Sequence, residues 1–135
     1  LGDSHDRDAG YAIESKIAAG NEVGTCRRGV NLIGQTSLSE LIGLLTCCRV
    51  LVSGDSGPMH LAAAIGVPVT AIFGPTDDRL TAPLGSNQVL FTPVWCRPCF
   101  FRDCPIDHRC MTTIFEEQVF QAVACQLTSS VEARS

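Results

Sequence analysis

The segment Ser53-Gly54-Asp55-Ser56-Gly57-Pro58-Met59-His60-Leu61-Ala62-Ala63-Ala64 carries the information that decides the fold. Just before it, Val50-Leu51-Val52 is a short apolar run that suits a buried strand. Gly54-Asp55-Ser56-Gly57 turns the chain, and Pro58 fits the first position of a helix. From Met59 to Ile65 the sequence is apolar apart from His60, so this helix is expected to bury most of its surface. Gly66 stops it, and Val67-Pro68-Val69-Thr70-Ala71-Ile72-Phe73 reads as a second strand. Short apolar strands alternating with helices predict a parallel sheet with helices on its faces.

On the C-terminal side, Gly74-Pro75-Thr76 turns the chain and 88–92 reads as a third strand. A Cys-rich loop covers 96–110. Thr113-Ile114-Phe115-Glu116 has the spacing of a capping box, predicting a helix to about Leu127. On the N-terminal side, Asp6 to Ala19 has helical spacing before Gly20, and 20–29 reads as a loop. Val30 to Ile33 reads as a buried strand ended by Gly34. Ser37-Leu38-Ser39-Glu40 is another capping box, opening a helix with Leu38, Leu41, Ile42, Leu44 and Leu45 on its apolar face. The reading is an α/β chain with one domain over 1–128, and a polar tail over 129–135.

Composition narrows the functions. Apolar residues make up 45% and charged residues 18% of the 135 residues, a globular balance. The net charge of −4 and the lack of a basic run argue against a nucleic-acid partner. No stretch is apolar and long enough to span a bilayer, and the N-terminus has neither basic start nor apolar core of a signal peptide. A cytoplasmic location is expected. There the eight cysteines would be reduced thiols rather than a disulfide framework.

At the carboxyl end of a parallel strand a helix N-terminus faces the ligand edge of the sheet. The backbone N–H groups of Ser56 and Gly57 would meet an anion there, with the helix dipole behind them. Gly57 has no side chain to block close approach, and Ser56 adds a hydroxyl. His60 lies one turn on, and Asp55 suits sugar or ribose hydroxyls. A plainer alternative stands beside this: Asp55 or Ser56 caps the helix, and His60 is a core residue.

Cys96, Cys99, Cys104 and Cys110 form a second constellation, whose spacing could wrap one tetrahedral ion, most plausibly a structural zinc. Arg97, Arg102 and Arg109 would offset thiolate charge. Packing as small hydrophobic groups, or two disulfides, are the alternatives. Cys26, Cys47, Cys48 and Cys125 read as structural.

The stretch from Asn31 to Thr76 resembles the C-terminal domain of the ADP-heptose:lipopolysaccharide heptosyltransferases. The matching parts are Gly34-Gln35-Thr36-Ser37-Leu38-Ser39-Glu40, Asp55 through Ala64, Gly66-Val67-Pro68 and Phe73-Gly74-Pro75-Thr76, in order and spacing. The resemblance implies a Rossmann-like, three-layer parallel sheet, part of the C-terminal half of a two-domain GT-B glycosyltransferase. It implies ADP-heptose as donor, a lipopolysaccharide-core acceptor bound through the other half, and no required cofactor. By resemblance, Asp55 contacts the donor sugar region, Ser56 and Gly57 hold the diphosphate, and His60 belongs to the same loop. Thr36 falls where the family loop passes the adenine, and Asp6 is the nearest match to its ribose-binding acid. Some family members have a similar Cys-rich loop. The resemblance places the general base in the other half, so no catalytic residue is assigned here. It also implies a cytoplasmic enzyme at the inner face of the inner membrane, with peripheral membrane association left open.

That family's sheet has strand order 3-2-1-4-5-6, and by this comparison strand 1 and most of strand 2 precede Leu1. Val30 to Ile33 is then expected either to pair directly with the strand near 50–53 or to leave that strand as an open edge. Two other functions remain in view: a glycosyltransferase for another nucleotide sugar, and a non-catalytic, metal-stabilised module.

Overall fold

The computed structural model describes residues 6–19, 29–85 and 87–132. The chain divides into two compact units, Leu1–Leu41 and Ile42–Ser135. In the first, α1 spans Arg7–Ala19. Most of the 20–29 loop and Cys26 lie outside the described residues.

The strand expected at Val30 to Ile33 is not formed. The Asn31 side chain accepts from the Ile33 N–H (3.1 Å), and the Gln35 N–H donates to the Leu32 carbonyl (3.1 Å). Gly34 completes the turn at φ +67°. Local bonds thus take the backbone groups a ladder would use, and Val30 is 78% exposed. Gly10 of α1 lies against Ile33 and Asn31, where a Cβ would collide with both side chains.

Helix α2, Leu38–Thr46, begins at the predicted capping box. The Ser37 N–H donates to Glu40 Oε2 (2.8 Å), and the Glu40 N–H lies 3.4 Å from Ser37 Oγ. The reciprocal bond from Ser37 holds the Glu40 carboxyl below the usual carboxylate range.

The second unit holds the sheet. Strands β1 (Leu51–Gly54), β2 (Val69–Phe73) and β3 (Asn87–Phe91) are parallel, in the order β1-β2-β3. Leu51 pairs with Val69, and Val69 with Asn87. Helix α3, Gly57–Ala64, links β1 to β2 and packs on both. It ends in a Schellman motif: the Val67 N–H reaches the Ala62 carbonyl, the Gly66 N–H reaches that of Ala63, and Gly66 sits at φ +79°. Its burial is narrower than expected: Met59 and Ala62 are buried, whereas His60, Ala64 and Ile65 are exposed. The short helix α4, Asp78–Thr81, follows β2, and α5, Arg109–Thr112, closes the Cys-rich loop.

Helix α6, Glu116–Glu132, packs on β2 and β3 and runs past the expected end at Leu127. Its start also differs from expectation. Thr113 Oγ1 bonds the Arg109 carbonyl (2.6 Å) at the end of α5, and the back-bond comes from Gln118, whose Oε1 accepts from the Phe115 N–H (2.9 Å).

Val69, Thr70, Ala71 and Phe73 of β2 are fully buried. Successive strand residues face opposite sides, so β2 is covered on both faces. Thr70 resolves its polarity on the α6 side: its hydroxyl bonds Gln126 Oε1 (2.9 Å), while Gln126 Nε2 donates to the Val69 carbonyl (3.0 Å). We predict that Gln126→Leu, which leaves the Thr70 hydroxyl without this acceptor, lowers stability by about 1–3 kcal/mol. Urea unfolding would check this, and an unchanged midpoint would refute it.

Candidate nucleotide-sugar site

Asp55, Ser56, Gly57 and His60 come together at the carboxyl end of β1 and the first turn of α3. No side chain caps this helix from Ser56, its N-cap residue. The Ser56 hydroxyl instead lies 2.9 Å from Ser53 Oγ and 3.2 Å from the Gly54 carbonyl oxygen. Asp55 faces elsewhere too: its Oδ2 is 3.1 Å from the Thr81 hydroxyl. Both capping alternatives therefore fail on geometry. A Cβ built on Gly57 meets no atom within 4 Å, so the space over the first turn is open. His60 is exposed rather than part of the core.

Thr36 and Asp6 belong to the N-terminal unit. Thr36 precedes the α2 capping box, and Asp6 immediately precedes α1. Their chain neighbours Gln35 and Arg7 line a hollow of about 420 Å³, with Tyr11, Glu14, Asn31 and Ile33.

The Cys-rich loop is tied to the end of β2. The Cys99 and Phe100 N–H groups both donate to the Pro75 carbonyl (2.9 and 3.0 Å). Arg97 does not neutralise thiolates, as the sequence suggested. Its Nε bonds the Gly74 carbonyl (2.6 Å), its Nη2 bonds the Thr76 carbonyl (3.0 Å) and Asp78 Oδ1 (2.8 Å), and its guanidinium stacks 4.6 Å from the Phe91 ring centre. Gly74 gives the loop room, since a Cβ there would run into Met111.

The zinc expectation is corrected. Among the described residues no group of three or more His, Cys, Asp or Glu is arranged to hold a metal ion. Cys96, Cys99, Cys104 and Cys110 are free thiols. Cys104 Sγ accepts from the His108 N–H (3.3 Å), and backbone N–H groups of Ile106 and His108 draw its thiol below the usual range. Cys110 is buried, and desolvation pushes its thiol up.

Sequence reasoning missed Thr81, which reaches Asp55 across 26 positions, and the pairing of Asp78 with Arg97. Long-range partners like these leave no periodic signal. The doubled acid Asp77-Asp78 after the Gly74-Pro75-Thr76 turn was the available hint.

A parallel sheet with an uncapped, glycine-bearing helix N-terminus at its carboxyl edge makes this an open α/β domain, the class of fold in which ligands meet that edge. Its particular family follows from comparison: the chain belongs to glycosyltransferase family 9 (heptosyltransferase), whose profile matches residues 3–109. Over 103 residues it is 33% identical to lipooligosaccharide heptosyltransferase 2 of Campylobacter jejuni, covering 74% of this chain and 32% of the relative. Over 84 residues it is 36% identical to lipopolysaccharide heptosyltransferase 2 of Escherichia coli, covering 62% and 23%. The structure of E. coli ADP-heptose LPS heptosyltransferase II aligns with 95% of this chain and 35% of its own, at a TM-score of 0.71 and 28% identity. A glycosyl transferase family 9 structure from Veillonella parvula shares the fold, at a TM-score of 0.73 and 23% identity. The α/β, GT-B-type fold class read from the sequence therefore holds. The chain spans about a third or less of the length of these proteins. Among the described residues no helix is long and apolar enough to cross a membrane.

The two thiol environments carry a prediction. A thiolate alkylates faster than a thiol. Near pH 8 iodoacetamide should modify Cys104 well before Cys110, as read by peptide mass spectrometry over time. Equal rates, or Cys110 first, would contradict the assignment.

Proposed function

We propose that this chain holds the donor in a heptosyl transfer, with the diphosphate of ADP-heptose over Ser56 and Gly57. The observation that carries this is the uncapped first turn of α3: Ser56 and Asp55 both direct their oxygens elsewhere, and Gly57 faces open space. Backbone N–H groups and the helix dipole there favour an anion. His60 is exposed one turn further on, within the same helix. Asp55, held by Thr81, supplies an acceptor for donor-sugar hydroxyls. Asp6 and Thr36 are assigned to ribose and adenine by family resemblance. The names of the relatives support heptose as the sugar and a lipopolysaccharide-type acceptor. On this reading the enzyme works at the cytoplasmic face of the inner membrane.

In the full reaction a general base would deprotonate the acceptor hydroxyl as it attacks the anomeric carbon, with the nucleoside diphosphate leaving. The amides at α3 would stabilise the charge that builds on the departing diphosphate. We assign the base to the other half of the enzyme, as the resemblance implies.

Two outcomes are expected. Gly57→Val has room in the protein, so it should fold normally while its side chain occupies the phosphate space. ADP affinity measured by calorimetry should fall by about tenfold or more, roughly 1.4 kcal/mol. Unchanged affinity in a normally folded variant would overturn the site. The 135-residue chain alone should bind donor without transferring heptose. Product formed above a buffer control, followed by mass spectrometry of an acceptor oligosaccharide, would show that the base lies within it.

A further inference from the structure

Beside the phosphate turn, at the carboxyl edge of β2 and β3, lies a second hollow of about 450 Å³. That volume is within the ~300–1,000 Å³ range of small-molecule sites. One wall is apolar, formed by Phe91, Pro93, Val94 and Pro98, with the indole of Trp95 79% exposed. The other is polar, formed by Thr76, Asp77, Asp78, Arg79 and Arg97.

The polar wall is built and electrically balanced. Asp77 pairs with Arg79 (3.1 Å) and Asp78 with Arg97 (2.8 Å), so two carboxylates meet two guanidiniums. The Arg97 side chain is only 9% exposed, and its three oxygen contacts and the Phe91 ring fix it in place. Asp78 meets Arg97 through Oδ1, which leaves lone pairs on its carboxylate for a further donor. The Thr76 hydroxyl is buried and has no hydrogen-bond partner.

These features select a ligand class. Cancelled charge does not favour an ion. Carboxylate oxygens with free lone pairs call for hydroxyl groups. An exposed indole with prolines beside it offers a flat apolar surface to a ring bearing C–H groups. A neutral polyhydroxylated ring has one apolar face and a rim of hydroxyls, and it matches both walls.

We propose that this hollow is a sugar subsite, taking a pyranose ring against Trp95 with its hydroxyls on Asp77 and Asp78. It rests on the nucleotide-sugar reading for its placement next to the diphosphate. The Thr81 hydroxyl joins the two places, lying 3.1 Å from Asp55 Oδ2 and 3.1 Å from the Asp77 carbonyl oxygen. The ring comes either from the donor or from the acceptor, and the same chemistry would hold both.

Trp95 is the single tryptophan of the chain, so its emission reports on this hollow alone. The 135-residue chain would be titrated with ADP, ADP-heptose and a deacylated inner-core oligosaccharide, reading fluorescence and binding heat in parallel. An emission change with ADP-heptose but not with ADP supports a donor-sugar subsite. A change with the oligosaccharide supports an acceptor subsite. Trp95→Ala, an exposed position with little to lose in folding, should weaken the responding ligand about tenfold by heat and leave ADP within about twofold. An equal emission change with ADP alone would mean that a base stacks there, and would overturn the sugar assignment. ADP heat without any sugar response would overturn it while leaving the phosphate site intact. An oligosaccharide response without ADP heat would support the subsite and remove the nucleotide reading. Silence in both channels would overturn both.

Discussion

Burial of β2 on both faces constrains the rest of this structure. β1 and β3 pair with its two edges, and four of its five side chains are removed from water. A parallel strand in that position needs cover above and below. Helices α3 and α6 both pack on β2. The arrangement also admits little polarity, because an unmatched buried hydroxyl costs about 1–3 kcal/mol. Thr70 is tolerated because Gln126 matches it from α6. Three parallel strands then deliver their carboxyl ends to one edge, and Gly54, Phe73 and Phe91 stand there together.

The way helix starts are satisfied separates framework from site. Helix α2 is closed by Ser37 and Glu40, and α4 by Asp77, whose carboxylate accepts from the Arg79 N–H. Helix α3 has a serine at its N-cap and no side-chain cap. The chain carries a good capping residue there and turns its hydroxyl toward Ser53 and Gly54 instead. First-turn amides kept from side-chain oxygens are available to a phosphate.

The Cys-rich loop works as a strap over the same edge. Arg97 fastens it to three oxygens of the 74–78 turn, so the loop's position depends on β2. Two of its thiols are pushed in opposite directions: N–H groups of Ile106 and His108 draw Cys104 down, whereas burial and then the neighbouring cysteines push Cys110 up.

The sequence by itself determined the local order of this protein. The strands near 51–54 and 69–73, the glycine turn between Ser53 and Pro58, the helix after it and the box at Ser37 to Glu40 were all legible. Each rests on periodicity, capping chemistry or backbone freedom within a few residues. The motif order through Thr76 also carried the family. The short apolar run at Val30 to Ile33 misled, because Asn31 bonds its own backbone and the run became a turn. The box at Thr113 misled because Thr113 was already engaged with Arg109. Tertiary structure alone decided that Ser56 leaves α3 uncapped, that Thr81 holds Asp55, and that Arg97 serves β2 rather than the thiols. It also decided that Trp95 lines the same hollow as two balanced ion pairs. The physical reason is competition: each of these groups has several possible partners, and only the packed chain decides which one lies within reach.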